Sequence, residues 1–238
     1  MAKMVGACAF MEDNPACPPS ERYKVAYCSK EVEGKRGNPF VGVSVDGLRW
    51  RLFEEPAWSV VAWNPDREAY VGFFRHWAAG RRQVWRSETR DFSRWPDPVP
   101  FLTSDPMMPP DVDFYCNGYH AWPGANDAHV MFVTCYARTS DALHVELRVS
   151  RDLIIWHAVD RRPLVDPAAL GGHFSGGVYA GHGLLVNEAR GTWSLPLGVP
   201  EITHNQGRTP GKRTGKVHFA RWRETKWWAY ALRRLESS

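Results

Sequence analysis

One short pattern occurs three times in this chain and limits what the chain can fold into. Ser150-Arg151-Asp152-Leu153-Ile154-Ile155-Trp156 has a close copy in Ser44-Val45-Asp46-Gly47-Leu48-Arg49-Trp50. A looser copy, with two extra residues before the Asp, is Ser87-Glu88-Thr89-Arg90-Asp91-Phe92-Ser93-Arg94-Trp95. All three keep Asp-x-x-x-Trp. An Asp in such a turn accepts backbone N–H groups, and the Trp four residues on is expected to pack beneath the hairpin. The pattern is a strand-turn-strand staple and carries no chemistry. Its recurrence reports architecture.

The flanks of the staple recur as well. Val60–Phe74 and Tyr119–Val133 each read as apolar strand, Asn/Pro/Gly/Asp turn, apolar strand. Ala7–Met11 and Tyr23–Cys28, joined by a Pro-rich turn, follow the same plan before the first staple. Gly183–Leu195 opens a fourth unit without a clear staple. The staple Asp residues stand at 46, 91 and 152, hence 45 and 61 residues apart. Units of four short strands at that spacing predict propeller blades. The expected fold is therefore an all-β propeller with four readable blades, about 7–55, 58–102, 112–166 and 175–232, in a single domain over 1–238. Alternation is of the strand type, as in Leu143-His144-Val145-Glu146-Leu147-Arg148-Val149, and almost no helix is expected.

Composition narrows the partners. The 12 Trp residues fit blade packing, with sugar stacking as the competing use. A net charge of +4 is mild. The basic stretches Arg208–Lys216 and Arg221–Arg234 read as solvated edges, so no nucleic-acid partner is expected. Five Cys without C-x-x-C spacing argue against a disulfide framework and against a zinc motif. Thiols in a reducing compartment fit a cytoplasmic protein. No apolar run of about 18 residues exists, so no membrane partner is expected. The nine His show no H-x-H or H-E-x-x-H spacing, and no G-x-S-x-G or P-loop occurs. No metal and no cofactor is expected.

A propeller exposes its axis to ligands, and the residues just before each inner strand converge there. Asp111–His120 is the densest such segment, with Asp113, Tyr115, Asn117 and His120 as candidates for binding hydroxyls and stacking a ring. Trp58 and His173 stand in two other converging segments, and His204 follows a strand end. Arg75 and Arg138 occupy matched places after Gly72-Phe73-Phe74 and Cys135-Tyr136-Ala137, where an Arg would face a ligand or pair with an Asp. Glu55, just before the second inner strand, is the best partner carboxylate for Asp113.

Glu21–Tyr27, Ser44–Trp50, Trp63–Arg75 and Asp113–Asn117 together resemble bacterial proteins related to the five-bladed propeller glycoside hydrolases of the invertase/arabinanase clan, families 32 and 43. The likeness runs from about residue 7 to 232. It implies an axial pocket that cleaves terminal furanosyl or related sugars with two Asp and one Glu from different blades. Asp113 falls where an inner-strand acid is expected. Gly176-Gly177-Val178-Tyr179 has no Glu where the clan's acid would stand, and the blade that carries the first Asp in such proteins would precede Arg22-Tyr23-Lys24. The resemblance implies a glycoside hydrolase-like protein acting on or binding a small or terminal sugar unit, with Asp113 and Glu55 as candidate catalytic carboxylates. The alternative is a non-catalytic carbohydrate-binding or scaffolding propeller. Four units of a group of five leave two faces to cover, so the chain is expected either to close as a ring of four or, preferably, to form a homodimer through the gap.

Overall fold

The computed structural model describes residues 4–29, 31–32, 35–36, 39–54, 60–103, 107–125, 127–160, 162–167, 176–206 and 215–223. The fold is the expected all-β propeller type. Among the described residues, four four-stranded antiparallel sheets follow one another along the chain, and helix is confined to short 3-10 turns such as Pro19–Glu21 and Glu188–Arg190. No helix among the described residues is long and apolar enough to cross a membrane. The chain divides into two compact units, Met1–Leu102 and Thr103–Ser238.

The first unit holds two sheets. One has the order β1 (Met4–Met11), β2 (Tyr23–Ser29), β5 (Pro39–Ser44), β6 (Arg51–Glu54), with the small hairpin β3 (Glu31–Val32) and β4 (Lys35–Arg36) inserted between β2 and β5. The other runs β7 (Val60–Asn64), β8 (Ala69–Ala78), β9 (Arg81–Thr89), β10 (Val99–Leu102). Alternate residues of each strand face the core, where Ala26, Val41, Val43, Val61, Tyr70, Phe74, Phe92 and Trp95 pack together. Lys24, fully buried on β2, is the exception in that core. Its Nζ lies 3.0 Å from Glu12 Oε2 and 3.5 Å from Glu21 Oε2, and 4.8 Å above the Phe92 ring. Tyr70 donates to the same Glu12 carboxylate at 2.8 Å.

The second unit also holds two sheets. The first is β11 (Val112–Ala121), β12 (His129–Ala137), β13 (Ala142–Ser150), β14 (His157–Ala158). In the second, β15 (Tyr179–Ala180) and β16 (Leu185–Asn187) both pair with β17 (Thr192–Pro200), which pairs on its other side with β18 (Gly215–Arg223). They are two halves of one inner strand, interrupted at His182-Gly183. The two sheets share a core of Trp122, Val130, Phe132, Val145, Leu147, Val178, Trp193, Leu195 and neighbours. The end of the fourth expected unit, from 224 to 232, lies outside the described residues.

The staples are the same turn built twice. Asp46 Oδ1 accepts from the N–H of Leu48 and of Arg49, both at 2.8 Å, and Asp152 Oδ1 does the same for Ile154 and Ile155, both at 2.8 Å. Ser44 and Ser150 each accept the two preceding turn amides on Oγ. The residue after the Asp is left-handed in both, Gly47 at φ 73° and Leu153 at φ 62°. Leu153 holds that conformation because its side chain is buried. The looser copy keeps part of the pattern, with Asp91 Oδ1 accepting from Ser93 N–H and Oγ–H. The Trp expectation holds fully only there. Trp95 is buried and donates to Phe92 O at 2.9 Å, whereas Trp50 and Trp156 are half-buried. The Trp156 ring stands edge-on to Tyr119, with centroids 6.3 Å apart.

Two outcomes follow from these contacts. Lys24→Met strands the buried Glu12 carboxylate and should cost about 3–5 kcal/mol. The double variant Lys24→Met/Glu12→Gln should recover part of that loss in urea unfolding. Asp152→Ala should cost roughly 0.5–2 kcal/mol, as loss of a cap does. Backbone hydrogen bonds hold the Asp152 carboxyl below the usual range. Its contribution is therefore present above the ordinary carboxylate pKa and fades as pH falls through the lowered one.

Candidate functional site

β11 enters its sheet next to the end of β12, with Val112 opposite Ala137 and Asp113 opposite Tyr136. The register then slips. Phe114 pairs with Cys135 and Cys116 with Thr134, so Tyr115 is the extra residue of a β-bulge. The bulge swings Tyr115 over the strand end, where its ring meets Tyr136 and Tyr179 at 5.8 Å and His204 at 4.8 Å. Tyr115, Tyr179 and His204 are half-buried and Tyr136 is buried. Offset edge-to-face packing of this kind holds rings at fixed angles.

A polar network fixes the same end. Tyr179 Oη lies 2.7 Å from His204 Nδ1. Tyr136 donates to Asp141 Oδ1 at 2.8 Å and accepts from Asn205 Nδ2 at 2.7 Å. Asn205 also donates to both Asp141 oxygens, through its backbone N–H at 2.9 Å and its side chain at 2.7 Å. Burial would raise the Asp141 carboxyl. The hydrogen bonds from Thr203, the Asn205 N–H and Tyr136 outweigh it and hold the group below the usual carboxylate range. Asp113 stands beneath, its side chain fully buried, with Oδ1 3.6 Å from Arg138 Nε. Arg138 also donates to the carbonyls of Asp111 and Pro110, at 3.3 and 3.0 Å.

The predicted residues divide accordingly. Asp113, Tyr115 and His204 gather at this end. Asn117 does not share their face. The bulge inverts the alternation, so Asn117, paired with Val133, faces the opposite side of the sheet from Asp113, paired with Tyr136. His120 lies near the other end of β11, about 20 Å away at roughly 3.3 Å per residue. It packs beside Gly183, and burial lowers its pKa. The dense segment is thus the strand itself rather than a loop before it. Arg75 and Arg138 are not matched. Arg75 lies within β8, opposite Val84, because the β8–β9 hairpin extends to a two-residue Ala79-Gly80 turn with both φ positive. Arg138 follows the last residue of β12. Glu55, Trp58 and His173 lie outside the described residues.

Sequence reasoning missed Tyr136, Asp141 and Asn205. The available signal was the short polar turn Arg138-Thr139-Ser140-Asp141, which antiparallel pairing must return to the Asp113 end.

No protein-family model and no curated protein matches the sequence. Solved structures share the fold. An N-acetylgalactosamine deacetylase from F. plautii, in complex with blood group B trisaccharide, is 13% identical with a TM-score of 0.66 over 92% of this chain and 72% of its own. A glycosyl hydrolase from Bacteroides ovatus is 15% identical, TM-score 0.61, over 94% and 67%. A structure from the family 130 mannoside phosphorylases, which contain glycoside hydrolases that target β-1,2 mannosidic linkages in Candida mannan, is 14% identical, TM-score 0.60, over 94% and 67%. The chain thus has the fold of propeller glycoside hydrolases and spans about two thirds to three quarters of their length.

Asp141→Asn should loosen the 201–206 loop and cost about 0.5–1.5 kcal/mol, near the low end because water screens the site. The difference from wild type should be full at neutral pH and shrink as acid protonates Asp141. Thermal unfolding at several pH values reads both.

Proposed function

We propose that the end of the second unit bearing Tyr115, Tyr179 and His204 binds a small or terminal sugar unit. The observation that carries this is three half-buried rings held at fixed angles beside a set of oriented carboxylate, amide and hydroxyl groups. Sugars present apolar C–H faces and many hydroxyls, and such a mixed surface suits both. A fold neighbour in complex with a trisaccharide supports a carbohydrate partner.

Hydrolysis is the second reading, favoured by the glycoside hydrolases among the fold neighbours and by Asp113 at the start of an inner strand. Cleavage needs two carboxylates, about 5 Å apart for retention or 6.5–9.5 Å for inversion. Asp113 is the candidate for one, and Glu55, the second candidate from the sequence, lies outside the described residues. The Asp113 side chain is fully buried, so on this reading it must become accessible for substrate to reach it.

Isothermal titration with mono- and disaccharides, run beside a panel of aryl furanosides and pyranosides, tests both. Binding without turnover is expected if recognition is the function, and Tyr115→Ala should weaken it at least about tenfold, or ~1.4 kcal/mol. Turnover abolished by Asp113→Asn would establish the second reading. Neither binding nor turnover across the panel would overturn both.

A further inference from the structure

The alternation in β13 predicts one apolar and one polar face, yet the structure covers both. Leu143, Val145 and Leu147 are buried on one face, while Glu146 and Arg148 on the other are only 12% and 8% exposed at their side chains. Charges buried in this way need partners. On the same face, Cys135 of β12 stands directly opposite His144 of β13. His144 and Glu146 are two apart on one strand and so point the same way. A thiol, an imidazole and a carboxylate therefore converge, with donor atoms all within 4.8 Å of one another.

We propose that Cys135, His144 and Glu146 form a binding site for one zinc ion, tying β12 to β13. His144 Nε2 and Glu146 Oε1 are 3.4 Å apart. A tetrahedral zinc with bonds of about 2.0–2.3 Å needs ligand edges of about 3.3–3.6 Å, so that edge is already set. The two carboxylate oxygens are divided between two tasks. Oε1 faces His144, and Oε2 lies 3.3 Å from Arg148 Nη2. Arg148 orients the ligand from behind without occupying the ion's position, the arrangement common around zinc sites. Arg148 is itself held, with its guanidinium carbon 4.9 Å above the Phe114 ring.

The charge balances. Zinc binding forms the Sγ–Zn bond, and the thiol proton leaves to solvent. Thiolate and carboxylate together then neutralise the divalent ion, and the Arg148 charge is unchanged. A sulfur–nitrogen–oxygen set selects zinc over magnesium or calcium, which take oxygen ligands. The fourth position belongs to water or another small ligand, and His144, 24% exposed at its side chain, gives the ion a way in. Spacing in the sequence hides the site, because two donors are brought together by strand pairing and not by a local motif.

Cobalt(II) titration of the purified chain tests the proposal, since a cobalt–thiolate bond gives a charge-transfer absorption in the near ultraviolet. One cobalt per chain with that absorption is expected, displaced by zinc. Cys135→Ser should abolish the band, and His144→Gln and Glu146→Gln should each weaken binding at least about tenfold. Cys17→Ser, in the other unit, should leave it unchanged. Circular dichroism checks folding of each variant. If Cys135→Ser fails to fold, His144→Gln, at a partly exposed position, decides. No thiolate band in the wild type, a band that survives Cys135→Ser, or wild-type affinity in His144→Gln would overturn the site.

Discussion

Burial of both faces of the central strands, as along β8 and β12, is the constraint on which this structure depends. A propeller blade packs against something on each side, so a strand with a polar alternate face must bury that face too. The polar residues there can persist only if paired. Lys24 shows the solution in the first unit. Its ammonium is held by two glutamates and two aromatic rings, and one of those glutamates is held in turn by Tyr70. The His144, Glu146 and Arg148 ladder is the equivalent in the second unit. Each set is costly to desolvate and costlier to break, which makes it a point where sequence and fold are tightly matched.

The staples do the complementary work at the edges. A turn must satisfy its own amides, and one carboxylate oxygen plus one serine hydroxyl satisfies four in both close copies. That chemistry depends only on residues within the turn, so it is legible in the sequence, and so are the three sheets it punctuates. The fate of the Trp is not local. Trp95 is buried because Phe74 and Phe92 close on it, at 5.7 and 6.1 Å, while the half-buried Trp156 meets Tyr119 edge-on. The same four-residue spacing therefore yields different burial.

The candidate site was legible in its centre and not in its shape. Asp113, Tyr115 and His204 stood out by residue type. Strict period-two reasoning would have placed Asp113, Tyr115 and Asn117 on one face. One inserted residue at Tyr115 breaks that rule, sending Asn117 to the other side. A bulge leaves no signature in composition, and neither does the length of the β8–β9 hairpin that carried Arg75 away from an end position.

The bulge also explains why the aromatic cluster exists at all. In an unbroken ladder Tyr115 would pair across the strand and stand among the core side chains of one face. Displaced by the bulge, it rests on rings from β12, β15 and the 201–206 loop. Those three supports are themselves tied together by Asp141, Asn205 and the Tyr179–His204 bond. A surface for a ligand must be rigid before the ligand arrives, or ordering it consumes the binding energy. In the proposed site the irregular residue places the Tyr115 ring, and the hydrogen-bonded loop supports the rings beneath it.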